Sequence, residues 1–178
     1  MFELNLDEEI TLRTFQESDA KSLFRLTDKS RNQLRLWLPW VDSTKSARDT
    51  KIFIQLAEEA QQARRGLTCG IYYKGELAGV ISYNLLDWQN RTGQIGYWLG
   101  TEFVGRGLMT RAVQGLIHFG FYELDLNRIE IRAATGNERS RAIPERLGFK
   151  QEGILREAEW LNDHFVDHAV YSMLRSEW

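Results

Sequence analysis

The sequence predicts a mixed α/β (α+β) fold, arranged as one domain over residues 1–178. Segments that alternate apolar and polar residues interleave with segments whose apolar residues recur at helical spacing. Antiparallel hairpin signals come early, and a strand–helix–strand crossover sits in the middle. At 178 residues and 43% apolar content the chain can bury one sizeable core. It shows no repeat, low-complexity segment or linker at which to divide it.

Glu9 to Phe15 alternates, with Ile10 and Leu12 on one face, and reads as a strand. Ser18-Asp19 offers an N-cap to a helix carrying Ala20, Leu23, Phe24 and Leu26. A second helical piece, Asn32 to Leu38, stops before Pro39. Ser46 to Arg65 repeats apolar residues at helical spacing, and Gly66 closes it. Leu67–Tyr73 and Leu77–Leu86 form a hairpin through Lys74-Gly75-Glu76. Gln94 to Leu99 is a strand, Leu108 to Glu123 a helix, and Asn127 to Thr135 a β-branched, alternating strand. A short helix around Arg141–Leu147 stops at Gly148, and Phe149–Glu157 with Phe165–Leu174 make a last antiparallel pair.

Composition removes several function classes. A net charge of −2 argues against a general nucleic-acid binder, which needs a basic surface. Cys69 is the only cysteine, so neither a disulfide framework nor a thiolate zinc site is available; it reads as a small core residue. Three histidines without ligand spacing predict no metal, and His118, inside a helix, reads as structural. The acidic N-terminus carries no signal-peptide pattern and no apolar run reaches membrane length. A soluble, cytoplasmic protein without a membrane partner is the expectation.

The segment Gly96 to Thr110 carries the most chemistry. An apolar strand, Tyr97-Trp98-Leu99, runs into a loop where Gly105 and Gly107 flank Arg106, and a long helix follows through Leu108, Met109 and Thr110. Glycines at such a turn let the backbone approach a ligand, and free N–H groups with the positive end of a helix dipole make an anion site. A dinucleotide fingerprint wants a third small residue where Thr110 stands, and a nucleotide-hydrolase loop wants a Gly-Lys-Ser/Thr ending that is absent. Neither standard nucleotide motif fits.

Residues 94–149 do resemble the GNAT acetyltransferases. The family's Gln/Arg-x-x-Gly-x-Gly/Ala reads here as Glu102-Phe103-Val104-Gly105-Arg106-Gly107. Its second motif, Asn-x-x-Ser followed by an aliphatic residue and Glu-Lys/Arg-x-Gly-Phe, is met by Asn137, Ser140, Ile143, Glu145, Arg146, Gly148 and Phe149. Two motifs in order are far more specific than either alone. Leu34 to Val41 and Glu157 to Asp163 are similar to segments of RimJ/RimL-type ribosomal-protein N-acetyltransferases, which extends the resemblance over nearly the whole chain. Two departures stand out: Glu102 replaces the usual Gln/Arg, and Pro144 replaces an aliphatic residue in a short helix. Since proline is tolerated in a first turn, that helix is expected to start late.

The resemblance implies a twisted, mostly antiparallel sheet of about seven strands with helices on both faces. It also implies acetyl-CoA as cosubstrate, a primary amine as acceptor, and, by analogy with frequent family dimers, a homodimer. Backbone N–H groups of a splayed strand, Tyr97–Leu99, would hold the thioester carbonyl, and Val104 to Thr110 would cradle the pyrophosphate. Asn137 would bond the pantetheine arm. Arg106, with Arg111 and Arg146, either reaches outer phosphates or is solvated. Ser140 is the candidate donor to the leaving thiolate and doubles as a helix N-cap. Among Glu157, Glu159 and Asp163, with His164 and His168 nearby, the resemblance favours Glu159 as base; hairpin surface charge explains most of the rest. Trp37, Trp40 and Trp160 either pack in the core or wall an acceptor groove. Acidic residues near the last hairpin would attract a cationic protein N-terminus. The acceptor the resemblance implies first is the N-terminal α-amino group of a ribosomal protein; the alternatives are a small amine (a polyamine, amino acid or antibiotic) and, from another class, a non-catalytic acyl-CoA-binding module.

Overall fold

A computed structural model describes residues 1–178. Its centre is an eight-stranded sheet in the order β1-β2-β3-β4-β5-β6-β8-β7. The strands are β1 Glu3–Asn5, β2 Ile10–Thr14, β3 Leu67–Tyr73, β4 Glu76–Asp87, β5 Thr92–Leu99, β6 Arg128–Ala134, β7 Lys150–Leu161 and β8 His164–Leu174. Only β5 and β6 run parallel; the remaining neighbours are antiparallel. The strand beyond the expected seven is β1, three residues long and too short to show a period.

The β3–β4 hairpin closes through Lys74 and Gly75 at φ 50° and 83°, the two left-handed residues of the turn whose twist matches a hairpin. Alternation along β4 then sends neighbouring residues to opposite faces. Val80 packs with Ala20, Leu23 and Ile54 of α1 (Ala20–Lys29) and α3 (Ala47–Gln62). Ile81 joins the larger core, with Leu116 and Ile117 of α4 (Leu108–Tyr122). Helices therefore cover both faces. Cys69 lies in that core at 1% exposure, and burial pushes its thiol up to about 12, an inert core residue.

Several element boundaries differ from expectation, each for a local reason. Asp19 holds the N-cap position of α1 but makes no side-chain cap bond: its carboxylate accepts from the Gln16 N–H at 2.7 Å and pairs with Arg13, and a 3-10 turn, Glu17–Asp19, precedes the helix. Of Asn32–Leu38 only the start is helical, as part of α2 (Arg31–Leu34). Ser46 does cap α3, reciprocally with Asp49. The left-handed residue after α3 is Arg64 (φ 55°), not Gly66, which is small because a Cβ there would meet the Tyr83 carbonyl. Helix α5 runs Glu138–Arg146, so Pro144 sits in its interior rather than its first turn.

Candidate active site

Strands β5 and β6 stay in register only from Thr92↔Arg128 to Ile95↔Ile131. Beyond Ile95, β5 keeps its bonds to β4 as far as Leu99, while β6 keeps its bonds to β8 as far as Ala134. The two strands separate, and Gly96–Leu99 have no neighbour on the β6 side. The Gly100 N–H donates to the Ala78 carbonyl at 2.8 Å. Alternation then puts the Trp98 N–H on the β4 side and turns the N–H groups of Tyr97 and Leu99 into the gap. Sequence reasoning located the splayed segment but could not say which of its N–H groups are free.

The gap opens into a cleft of about 820 Å³. One wall is the N-terminus of α4. Gly105 and Gly107 have φ 78° and 71°, and an added Cβ on either would point into open space. Gly107 is the N-cap and supplies no side-chain cap, and the first helical bond is Arg111 N–H to the Gly107 carbonyl. The N–H groups of Leu108, Met109 and Thr110 are thus uncommitted at the positive end of a 15-residue helix. That is a fit for a pyrophosphate: open backbone donors, left-handed glycines, and no side chain in the way.

The opposite wall is α5, whose N-cap is Asn137 and not Ser140. The Ser140 N–H donates to Asn137 Oδ1 at 3.3 Å, placing Ser140 one turn into the helix. Asn137 keeps its amide N–H groups for a ligand. The Tyr97 hydroxyl crosses beneath the cleft and donates to the Ser140 carbonyl at 2.9 Å. Burial pushes the Tyr97 phenol far above its ordinary range, so it stays protonated at neutral pH. Arg141 braces α5 from behind, donating to Tyr171 Oη at 2.8 Å, and that hydroxyl donates to Glu145.

Twelve of the candidate catalytic, cofactor and acceptor residues named from sequence meet in this cleft: Tyr97, Trp98, Leu99, Val104, Gly105, Gly107, Leu108, Met109, Thr110, Asn137, Ser140 and Trp37. Arg146 lines it as well, and so does Arg139, which sequence reasoning missed because it occupies a free position of the second motif. Arg106 does not: its guanidinium donates to the Glu102 carbonyl at 3.0 Å. Arg111 is held by Asp7 and Glu9. Glu102, the departure from the first motif, turns its carboxylate toward Lys29 at 3.9 Å and stays outside the cleft.

A second chamber of about 460 Å³ lies on the α1/α3 face and shares Leu38, Tyr97 and Trp98 with the first. Its lining includes Trp40, Phe53 and the uncharged polar residues Thr44, Thr68, Ser82 and Asn84, with no acidic, basic or histidine side chain. Of the three tryptophans expected at an acceptor wall, only Trp40 lines this chamber, with its ring 5.9 Å from that of Trp98. Trp37 lines the cleft and packs against Gly136. Trp160 is 54% exposed and stacks edge-on against Phe165 at the β7–β8 hairpin, away from both. Glu159 lines neither cavity. It sits beside a bulge in β7, 3.5 Å from His168 Nε2, and His168 is in register with Ala134 at the separated end of β6.

The family profile of the acetyltransferase (GNAT) domain matches residues 9–150. The chain belongs to the GNAT acetyltransferase family. A Bacillus subtilis (strain 168) protein provisionally named ribosomal N-acetyltransferase YdaF is 40% identical to this GNAT protein over 179 residues, covering 100% of this chain and 98% of that one. Escherichia coli (strain K12) ribosomal-protein-serine acetyltransferase is 32% identical, covering 96% of each. Among solved structures, RimL, a ribosomal L7/L12 α-N-protein acetyltransferase in complex with coenzyme A, superposes with a TM-score of 0.94 at 28% identity, over 97% of this chain and 98% of that one. This GNAT protein is an acetyl-CoA-dependent acyltransferase. The two motifs and the fold expected from sequence are those of its family.

Proposed function

We propose that this enzyme moves the acetyl group of acetyl-CoA to the α-amino group at the N-terminus of a protein, with a ribosomal protein as acceptor. The names of its relatives supply the acceptor class. One observation carries the preference for an α-amino group: the chamber that opens onto Tyr97 and Trp98 holds no carboxylate or imidazole. An amine entering it has to shed its proton without a base in contact. At pH 7 that costs about 1 kcal/mol for an α-amino group and about 4.6 kcal/mol for a lysine. The difference of about 3.5 kcal/mol favours the N-terminus.

In this reading the N–H groups of Leu108 to Thr110 hold the pyrophosphate, Arg139 and Arg146 neighbour the remaining phosphate charge, and Asn137 bonds the pantetheine arm. The N–H groups of Tyr97 and Leu99 draw charge onto the thioester oxygen. The amine nitrogen then bonds to the carbonyl carbon, the C–S bond breaks, and its electron pair leaves on sulfur. Ser140 Oγ donates to that sulfur. The ammonium proton shed before attack passes through solvent to the Glu159–His168 pair at the end of β6, without contact between that pair and the amine. The second proton, released from nitrogen as the amide forms, replaces the one Ser140 gives to sulfur. Trp40 and Phe53 wall the first residue of the acceptor.

An acceptor panel tests the reading, with release of free thiol as the signal. Peptides beginning with Ser or Ala should be turned over at pH 7 at least about 100-fold more efficiently than lysine side chains in N-acetylated peptides, with the gap narrowing as pH rises. Faster turnover of a polyamine or amino acid would replace the protein acceptor with a small amine. Binding of CoA without thiol release on any amine would leave a binding module.

A further inference from the structure

Pro144 is the seventh residue of α5. A proline inside a helix has no N–H, so the carbonyl four residues back loses its helical donor. Here that carbonyl is Ser140, the residue read above as donor to the departing sulfur. The carbonyl is not abandoned: it accepts from the Tyr97 hydroxyl at 2.9 Å, reaching across from β5. On its other side the Ser140 N–H is held by Asn137 Oδ1. Both backbone polar groups of Ser140 are therefore tied by side chains, and neither bond uses the Ser140 hydroxyl.

This arrangement joins the two working walls of the cleft. In the reading above, strand β5 carries the N–H groups for the thioester oxygen, and α5 carries the hydroxyl for the sulfur. Past Ile95, β5 and β6 no longer pair, so no strand ladder fixes the distance between these walls. The Tyr97–Ser140 bond spans them directly. An uninterrupted α5 would hold the Ser140 carbonyl with its own N–H at residue 144 and leave Tyr97 redundant.

We propose that Tyr97 is a positioning residue for Ser140, made necessary by Pro144: its hydroxyl replaces the helix donor that proline removes and locks α5 to the splayed strand. The proposal rests on the reading of Ser140 as donor to the leaving sulfur. Its signature is a dependence of one substitution on the other.

The experiment measures Tyr97→Phe in two backgrounds, the natural chain and Pro144→Ala, by thiol release with a Ser-initiated peptide. Melting temperatures confirm that each variant is folded at the assay temperature. With Pro144 present, Tyr97→Phe should lower kcat about tenfold while leaving the KM for acetyl-CoA within about twofold. The Pro144→Ala background restores a backbone N–H that can hold the Ser140 carbonyl, and there the same substitution should lower kcat less than about twofold. An equal loss in both backgrounds, a loss in neither, or a loss carried by KM overturns the proposal. Ser140→Ala separates this failure from that of the underlying reading. Full turnover by Ser140→Ala removes the donor assignment and the proposal with it. Loss of turnover in Ser140→Ala, together with equal Tyr97→Phe losses in both backgrounds, overturns the positioning role alone.

Discussion

Ser140 shows what one residue can and cannot disclose in a sequence. Its spacing from Asn137 marked it as part of the second motif, yet the same spacing allowed it to be the cap of α5. The structure gives the cap to Asn137, which frees the Ser140 hydroxyl from local work. Ser140→Ala should then lower kcat by about 10- to 100-fold, the worth of one hydrogen bond to a group that becomes charged in the transition state. Affinity for CoA, read by calorimetry, should change little, because the pyrophosphate contacts proposed above lie on the α4 backbone. Unchanged turnover would remove Ser140 from the chemistry. Glu102 makes the complementary case. Its charge looked misplaced beside a phosphate site, but side-chain direction is not written in a motif, and the carboxylate faces Lys29.

At the scale of elements, the strand–turn–helix from β5 to α4 was readable because its constraints are backbone constraints. Only glycine adopts φ 71° and 78° at low cost, so Gly107 and Gly105 announce the turn by identity. Gly107→Val should destabilise the fold by about 1–2 kcal/mol through the left-handed backbone. It should also weaken CoA binding, since the new Cβ points into open space beside the N–H groups of Leu108 to Thr110. A urea titration and a CoA binding isotherm read the two effects separately; intact affinity would mean the pyrophosphate lies elsewhere. Helix α5 was read less well. Proline was placed in a first turn because its missing N–H costs nothing there. The compensating donor, Tyr97, lies 43 residues upstream of Ser140, whose carbonyl it holds, and no local pattern couples it to the proline.

At the scale of the molecule, periodicity located seven strands and the crossover, while pairing details rest on contacts no period records. The bulges of β7 are an example. One shifts the register between Gln151 and Gly153 and leaves Glu152 as the extra residue. Its carboxylate accepts from Arg128 Nη1 and Nη2 at 2.6 and 2.7 Å and from Ser172 Oγ at 2.6 Å, stitching β7 across β8 to β6. The Arg128 guanidinium, helped by Ser172, holds the Glu152 carboxyl down at about 2, against 4.5 ordinarily. A carboxylate depressed on folding contributes stability above its unfolded value and loses it as the group is protonated. The contribution is therefore full above about pH 4.5 and fades as pH falls toward about 2. With the Glu152 side chain 44% exposed, solvent screening limits its worth to about 1 kcal/mol. Glu152→Gln should accordingly lower the melting temperature by about 2–4 °C at pH 7. The difference should shrink steadily below pH 4.5 and vanish near pH 2. A difference that stays constant with pH would show that packing at the bulge, and not the charge on Glu152, holds β7 to the sheet.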